Sequence, residues 1–407
     1  MQKFSLSKRS ANGRPRIPKT VWALGLVSMF MDISSEIIHA LLPLFLTATL
    51  GATVAFVGLV DGIAEATASI SKVFSGYVSD RTGRRKPLIL LGYGLGTLSK
   101  PLFALAGSPG LVLGARFIDR IGKGLRGAPR DALVADVTPL AIRGRAYGLR
   151  QALDTVGAFA GPLMAIGLMA LFANDMRAVF WVAAVPGVFA VLLVLFGVED
   201  SPQETAPSAV RAPLRIRDLR SFNRGYWGVV VIGVIFTMAR FSEAFLILKA
   251  NADGLPLVLA PLVLVVMNLI YSIGAYPAGV LTDEQGPHRP LVYGSACLIA
   301  ADMFLAFGSG LPSTFAGIAL WGAHMALTQG LLAKLVAERA PETLRGSAFG
   351  IFNLATGVTT LAASVVAGLL WDQLGSSATF IAGGGFAAVT ALLLILRRAI
   401  SARRAAH

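Results

Sequence analysis

Apolar residues in this chain gather into long runs, divided by short clusters of glycine, proline or charge. The runs fall near 20-48, 53-79, 87-107, 110-137, 144-171, 178-198, 225-249, 256-282, 289-309, 312-338, 344-371 and 377-396. Each reaches the roughly 20 residues that a helix needs to cross a bilayer. The pattern therefore predicts an all-α membrane protein with twelve transmembrane helices. Composition agrees: 55% of the 407 residues are hydrophobic and 14% are charged, with a mean hydropathy of +0.69, far from the balance of soluble domains. Frequent glycines fit helices that approach closely where no hydrophobic force drives them together.

The twelve runs form two sets of six. Gly76, Asp80 and Gly83, between the second and third runs, recur as Gly279, Asp283 and Gly286, 203 residues on. Pro139, Arg143, Gly144 and Ala146 recur as Pro341, Arg345, Gly346 and Ala348, 202 residues on. A duplication of this size, built from apolar segments, is the repeat signature of secondary transporters and not of a soluble solenoid. It divides the chain into a basic tail (1-19), a first six-helix half (20-198), a linker rich in proline and arginine (199-224), a second half (225-396) and a second tail (397-407).

The net charge of +14 lies on one side of the predicted helices. Lys3, Lys8, Arg9, Arg14, Arg16 and Lys19 fill the first tail without an acid; Arg81, Arg84, Arg85 and Lys86 fill the loop after the second run. Further arginines crowd the linker and the end of the chain, whereas the alternate loops near 48-53, 107-110 and 309-312 carry no charge. The positive-inside rule then places both termini and the linker in the cytoplasm, on a multi-pass protein of the cytoplasmic membrane with an even number of spans. The lipid bilayer accounts for the charge without a nucleic-acid partner. Cys297 is the single cysteine, so no internal disulfide forms. The first run is too long for a signal-peptide core and is read as a retained span.

The loop at 76-86, an arginine at position 116 in the fourth span and Gly157-Ala158-Phe159-Ala160-Gly161-Pro162 in the fifth together resemble the motifs of the major facilitator superfamily, over nearly the whole chain. The resemblance implies alternating access, with cargo at the midplane between the halves and spans one, four, seven and ten lining its path. The span-five pattern is similar to that of the superfamily's antiporters. In the loop, Asp80 follows an apolar span, Gly83 permits a tight turn, and the Arg84 and Arg85 pair can bridge to an acid such as Asp136 on a neighbouring span. The resemblance implies that Asp80, Arg84 and Asp136 lock the inner helix ends. Gly76, Gly157, Gly161, Pro162 and the repeat partner Asp283 complete the expected gating set.

Ionisable groups inside the spans are costly unless paired or wet, so they mark candidate sites. Asp32, Glu36 and His39 share one face of span one, and the two acids lie roughly 18 to 24 Å from its cytoplasmic end at about 1.5 Å per residue. They are the expected proton-coupling pair. Asp61 and Glu65 stand one turn apart on span two, with Lys72 beyond. Span four carries Arg116, Asp119, Arg120, Lys123 and Arg130 in one stripe. This stripe either faces an aqueous cavity, lined in part by a helix that Gly122, Gly124, Gly127 and Pro129 could break, or pairs wholly with acids of neighbouring spans. The second half adds Arg240 and Glu243, expected to pair with each other, and His324, which is either packing or pore-lining. His39, Asp61, Glu65, Arg116, Arg120, Lys123, Arg240, Glu243 and His324 form the expected substrate-binding set. Lys100 has no partner that spacing identifies.

These readings point to a monomeric secondary transporter without a cofactor, exporting drug-like or organic solutes, including anionic ones, in exchange for protons. No G-x-x-x-x-G-K-[ST] phosphate loop occurs, which argues against ATP as a direct energy source. Two alternatives stand beside it. Asp32, Glu36 and His39 could ligate a divalent transition metal, and the chain is also similar to nickel and cobalt resistance permeases. A non-transporting receptor on the same scaffold is the other. An enzyme is disfavoured, because four scattered histidines offer no nucleophile-base spacing.

Overall fold

Helix starts in this chain are written locally. Thr53, Ser108, Asp175 and Asn223 each precede a helix and accept a backbone N–H two or three residues ahead, at 3.2, 3.4, 2.9 and 2.8 Å, which satisfies donors that a helix leaves free. In the computed structural model, which describes residues 16–200, 222–340 and 345–405, these caps open four of fourteen helices. The first half holds α1 (Lys19–His39), α2 (Val54–Thr82), α3 (Lys86–Leu105), α4 (Pro109–Val137), α5 (Arg143–Leu171) and α6 (Met176–Gly197). The second holds α7 (Arg224–Met238), α8 (Ala244–Ala252), α9 (Leu262–Gln285), α10 (His288–Phe307), α11 (Gly310–Thr328), α12 (Leu331–Arg339), α13 (Arg345–Leu374) and α14 (Ser376–Ala405).

Among the described residues nine spans are long and apolar enough to cross a membrane. The other three of the twelve are the heavily charged α4 and two spans that are each made of two helices, α7 with α8 and α11 with α12. Gly330 makes the second of these breaks, with φ at +77°, a conformation that strongly favours glycine. The first break has a repeat counterpart: the 203-residue offset carries Glu243 back to Ala40, where α1 ends in a turn before continuing through Leu42–Leu44 and Phe45–Thr49. Large apolar side chains such as Leu98, Phe196, Tyr276 and Phe307 are exposed on the outside, as lipid-facing helices require.

Packing distinguishes the two ends of the molecule. At the end where Arg85 and Arg224 lie, here the basic end, each half has its own core: Val21, Tyr93, Leu133 and Val194 in the first, and Tyr226, Leu291, Val336 and Phe352 in the second. At the distal end one core runs through both halves, joining Val60, Phe103 and Phe180 to Phe245, Val263, Trp321 and Phe380. There α2 and α13 meet backbone to backbone: a Cβ on Gly62 would lie 2.8 Å from Leu361 Cα, and one on Gly368 would lie 2.5 Å from Ala55 Cα. The halves are thus sealed at the distal end and apart at the basic end.

The linker segment 201–221 and the first fifteen residues lie outside the described residues, and with them most of the basic charge assigned to tail and linker. The same holds for Pro341 of the second repeat motif and for the side chains of Asp80 and residues 345–347.

Candidate substrate cavity

Span four shows how sequence becomes site. Its glycines do not break the helix, which is continuous from Pro109 to Val137. They let neighbours close in: a Cβ on Gly122 would lie 2.6 Å from the Gly92 carbonyl of α3, and one on Gly124 would lie 2.8 Å from the Ala68 carbonyl of α2. With α2 and α3 drawn against it, the deep half of the charged stripe finds partners. Arg116 meets Asp61 at 3.5 Å, Arg120 meets Glu65 at 3.1 Å, and Asp119 accepts from Lys100 at 2.8 Å. Lys100 and Asp119 are almost wholly buried, and Ser35 Oγ accepts from the same ammonium at 3.0 Å. Asp61 also accepts from Ser242 of the second half at 2.6 Å.

The shallow half of the stripe is different. Lys123, Arg126 and Arg130 line a cavity of about 570 Å³ between the halves, within the usual range for small-molecule sites. Asp32 and Glu36 of α1, Lys72 of α2 and Asp154 of α5 complete its charged side. Asn268, Tyr271 and Ser272 of α9 and Gln329, at the α11–α12 break, supply an uncharged polar side. Since the distal end is closed by the shared core, the cavity opens towards the basic end. The stripe therefore pairs with neighbouring acids at depth, as one alternative held for its whole length, and lines the cavity above it.

Some cavity charges are already engaged. Glu36 sits 3.5 Å from His39, Asp154 accepts from Arg150 at 2.6 Å, and Arg130 reaches Asp131 at 3.2 Å and Ser28 at 2.8 Å. Arg126 lies over the Tyr93 ring, 4.7 Å from its centroid, with Nη1 unbonded. Behind the two α1 acids stands α5. A Cβ on Gly157 would lie 3.0 Å from Asp32 Cβ, and one on Gly161 would lie 2.6 Å from Glu36 Cβ. Pro162 is buried within the unbroken α5, so the Gly-x-x-x-Gly-Pro stretch is the surface on which the acidic face of α1 rests.

The sequence profile of the Major Facilitator Superfamily matches residues 24–359. The chain belongs to that superfamily. It is a multi-pass membrane transporter and not an enzyme. An uncharacterised MFS-type transporter of Methanocaldococcus jannaschii is 31% identical over 398 residues, 96% of this chain and 98% of that one. A probable 4-methylmuconolactone transporter of Cupriavidus pinatubonensis is 30% identical over 238 residues, covering 58% of this chain and 55% of its own. Among solved structures the nucleoside transporter NupG superposes with a TM-score of 0.79 at 14% identity, covering 93% of this chain and 99% of that one, which speaks for the fold alone.

Within this superfamily transporter several expectations shift. In the basic-end loop Asp136 pairs with Arg85 at 3.2 Å, while Arg84 is exposed; Ser79 also accepts from Arg85 at 2.6 Å. The Asp80 side chain lies outside the described residues. Gly83 closes α2 with φ at +64°, and Gly76 faces Ala128 of α4. Asp283 is highly exposed, 3.9 Å from Lys334. Arg240 and Glu243 form no ion pair with each other among the described residues, because the chain is non-helical between Met238 and Ala244 and the one-turn spacing is lost; Arg240 lies over the Phe236 ring instead. His324 is wholly buried, with Nδ1 2.9 Å from the Gly294 carbonyl, and does not line the cavity. Nor do Arg240 and Glu243.

No group of three or more His, Cys, Asp or Glu fit to hold a metal occurs among the described residues; of Asp32, Glu36 and His39, the last two lie 3.5 Å apart. Lys72, Arg126, Gln151 and Asp154 of the wall were absent from the expected site. Their signal was present as charge or amide within an apolar run, but spacing along one helix does not say which neighbour it faces.

Proposed function

We propose that this transporter moves small organic solutes across the cytoplasmic membrane by alternating access coupled to protons, with Asp32 and Glu36 as the coupling carboxyls. One observation carries the reading. The two acids stand on the wall of a single cavity that is sealed at one end and open at the other, and both rest on the glycine face of α5. A carboxyl that gains or loses a proton there changes charge at a helix contact, which biases the equilibrium between the two access states. The basic end is cytoplasmic by the positive-inside rule, so the structure corresponds to the inward-open state. The likeness of the span-five pattern to that of antiporters favours export in exchange for protons, and the probable 4-methylmuconolactone transporter among the relatives favours an organic cargo.

The test is a proteoliposome assay that follows internal pH while candidate drugs and organic acids are added. Wild-type protein should move protons in response to cargo. Asp32→Asn and Glu36→Gln should each retain cargo binding and lose the proton movement. Unchanged cargo-driven proton flux in both single variants would remove α1 as the coupling site.

A further inference from the structure

The cavity wall holds an imbalance of charge that the protein does not satisfy by itself. Lys72, Lys123 and Arg126 line it, and among the described residues none of the three has a carboxylate within 4.0 Å. One wall carboxylate, Asp32, also lacks a partner within that distance, while Asp154 and Arg130 are engaged as described above. Among the described residues Glu36 contacts only His39, which carries charge only when protonated, so three free cations stand against two acids and leave the wall net positive.

Position shows that these cations are not topology markers reaching for the membrane surface. Lys72 lies 10 residues inside the Thr82 end of α2; Lys123 and Arg126 lie 14 and 11 residues inside the Val137 end of α4. At about 1.5 Å per residue these are depths of roughly 15, 21 and 17 Å. Charges that deep persist where they face water or a counter-ion. The facing wall, Asn268, Tyr271, Ser272 and Gln329, has hydrogen-bonding groups and no charge.

We propose that Lys72, Lys123 and Arg126 form the anion-binding subsite of the cargo, so that the transported solute is a soluble organic anion. Its carboxylate, or a group of like charge, sits among the three cations on the first half, and its uncharged body lies against the amides and phenol of the second. This deepens the transporter reading of the same cavity and rests on it. An anion that touches both walls supplies the charge the wall lacks and bridges the halves. Charge-assisted contacts of this kind also discriminate sharply, because an uncharged isostere leaves the cations unpaired.

The full chain, purified in neutral detergent, is titrated by calorimetry with benzoate, with benzamide as the uncharged isostere and with benzylamine as the cation. Benzoate should bind, with the amide and the amine weaker by at least about tenfold. Lys72→Gln, Lys123→Gln and Arg126→Gln should each weaken benzoate by a similar factor, and Lys123→Arg should restore most of it. Ligand comparison on the wild-type protein needs no variant to fold. Phosphatidylglycerol added to the micelles should leave benzoate binding unchanged; competition by this lipid would assign the wall to a headgroup and overturn the proposal. Equal binding of amide or amine, or no benzoate binding at millimolar concentration, would overturn it too. Proton-coupled transport of a neutral or cationic solute under those conditions would leave the transporter reading standing, whereas absence of any coupled transport would remove that reading instead.

Discussion

Asp372, near the distal end of α13, accepts the backbone N–H of Ala55 at 2.8 Å, and its other oxygen accepts that of Val54 at 3.0 Å. A carboxylate of one half thus caps the N-terminus of a helix of the other. The bond exists only while the distal end is shut, and it adds the attraction of a negative charge for a helix N-terminus to the apolar contact beneath it.

Removing this cap should shift the access equilibrium. Hydrogen bonds to a charged group contribute about 1.5–3 kcal/mol, so Asp372→Ala should raise the population open at the distal end by roughly tenfold or more. Labelling of Ala367→Cys in a Cys297→Ser background reads this directly. The rate from the distal side should rise in the Asp372→Ala protein, and an unchanged rate would show that the core alone holds the seal.

Bulk on the glycine face of α5 should jam exchange. Gly161→Leu places side-chain atoms where Glu36 Cβ already stands 2.6 Å from an added Cβ, so α1 and α5 must separate for the variant to pack. The protein is expected to insert and fold, to lose transport, and to show accessibility labels fixed on one side of the membrane. A variant that alternates freely would make the glycine ordinary packing and weaken the antiport reading with it.

The two arginines of the basic-end loop should differ. Arg85 is buried on Asp136 and Ser79, whereas Arg84 is exposed. Arg85→Ala is expected to slow turnover on the order of tenfold, from the loss of charge-assisted bonds that hold α2, α3 and α4 together, with cargo affinity nearly unchanged. Arg84→Ala should stay within about twofold of wild type, as exposed charges contribute little. Reversal of that order in a turnover assay would return the locking role to Arg84.

The Lys100–Asp119 pair offers a stability test away from the cavity mouth. Breaking a buried pair strands one charge, at a cost of about 3–5 kcal/mol, whereas replacing both partners is often near neutral. Lys100→Met should lower the detergent melting temperature clearly, and Lys100→Met with Asp119→Leu should recover most of the loss. Equal melting of the single and double variants would mean that the charges are not coupled.

How much of this was legible beforehand follows a physical line. Apolar length and charge placement announced the spans because the bilayer imposes both on the sequence itself. Breaks within spans were not announced: Gly330 ends α11, while Gly122, Gly124, Gly127 and Pro129 leave α4 whole, and the presence of glycine alone does not separate the cases. Helical spacing put Asp32 and Glu36 on one face. It could not give Lys100 its partner on α4 or choose between Arg84 and Arg85 for the Asp136 contact, since those depend on where a different helix stands. The expected Arg240–Glu243 pair failed for a related reason, because one-turn spacing has meaning only where the chain is helical.

The ladder of ion pairs beneath the cavity, Asp61 with Arg116, Glu65 with Arg120 and Asp119 with Lys100, bears on membrane voltage. Solvent in the open cavity shares the electrical potential of the basic side, so the voltage falls across the sealed layer below it and not across the full bilayer. A unit charge crossing the membrane does about 2.3 kcal/mol of work per 100 mV. Here that work is concentrated in the step that opens the distal seal. Entry of a charged solute from the basic side should be nearly indifferent to voltage, and the conformational step that follows should carry almost all of the dependence.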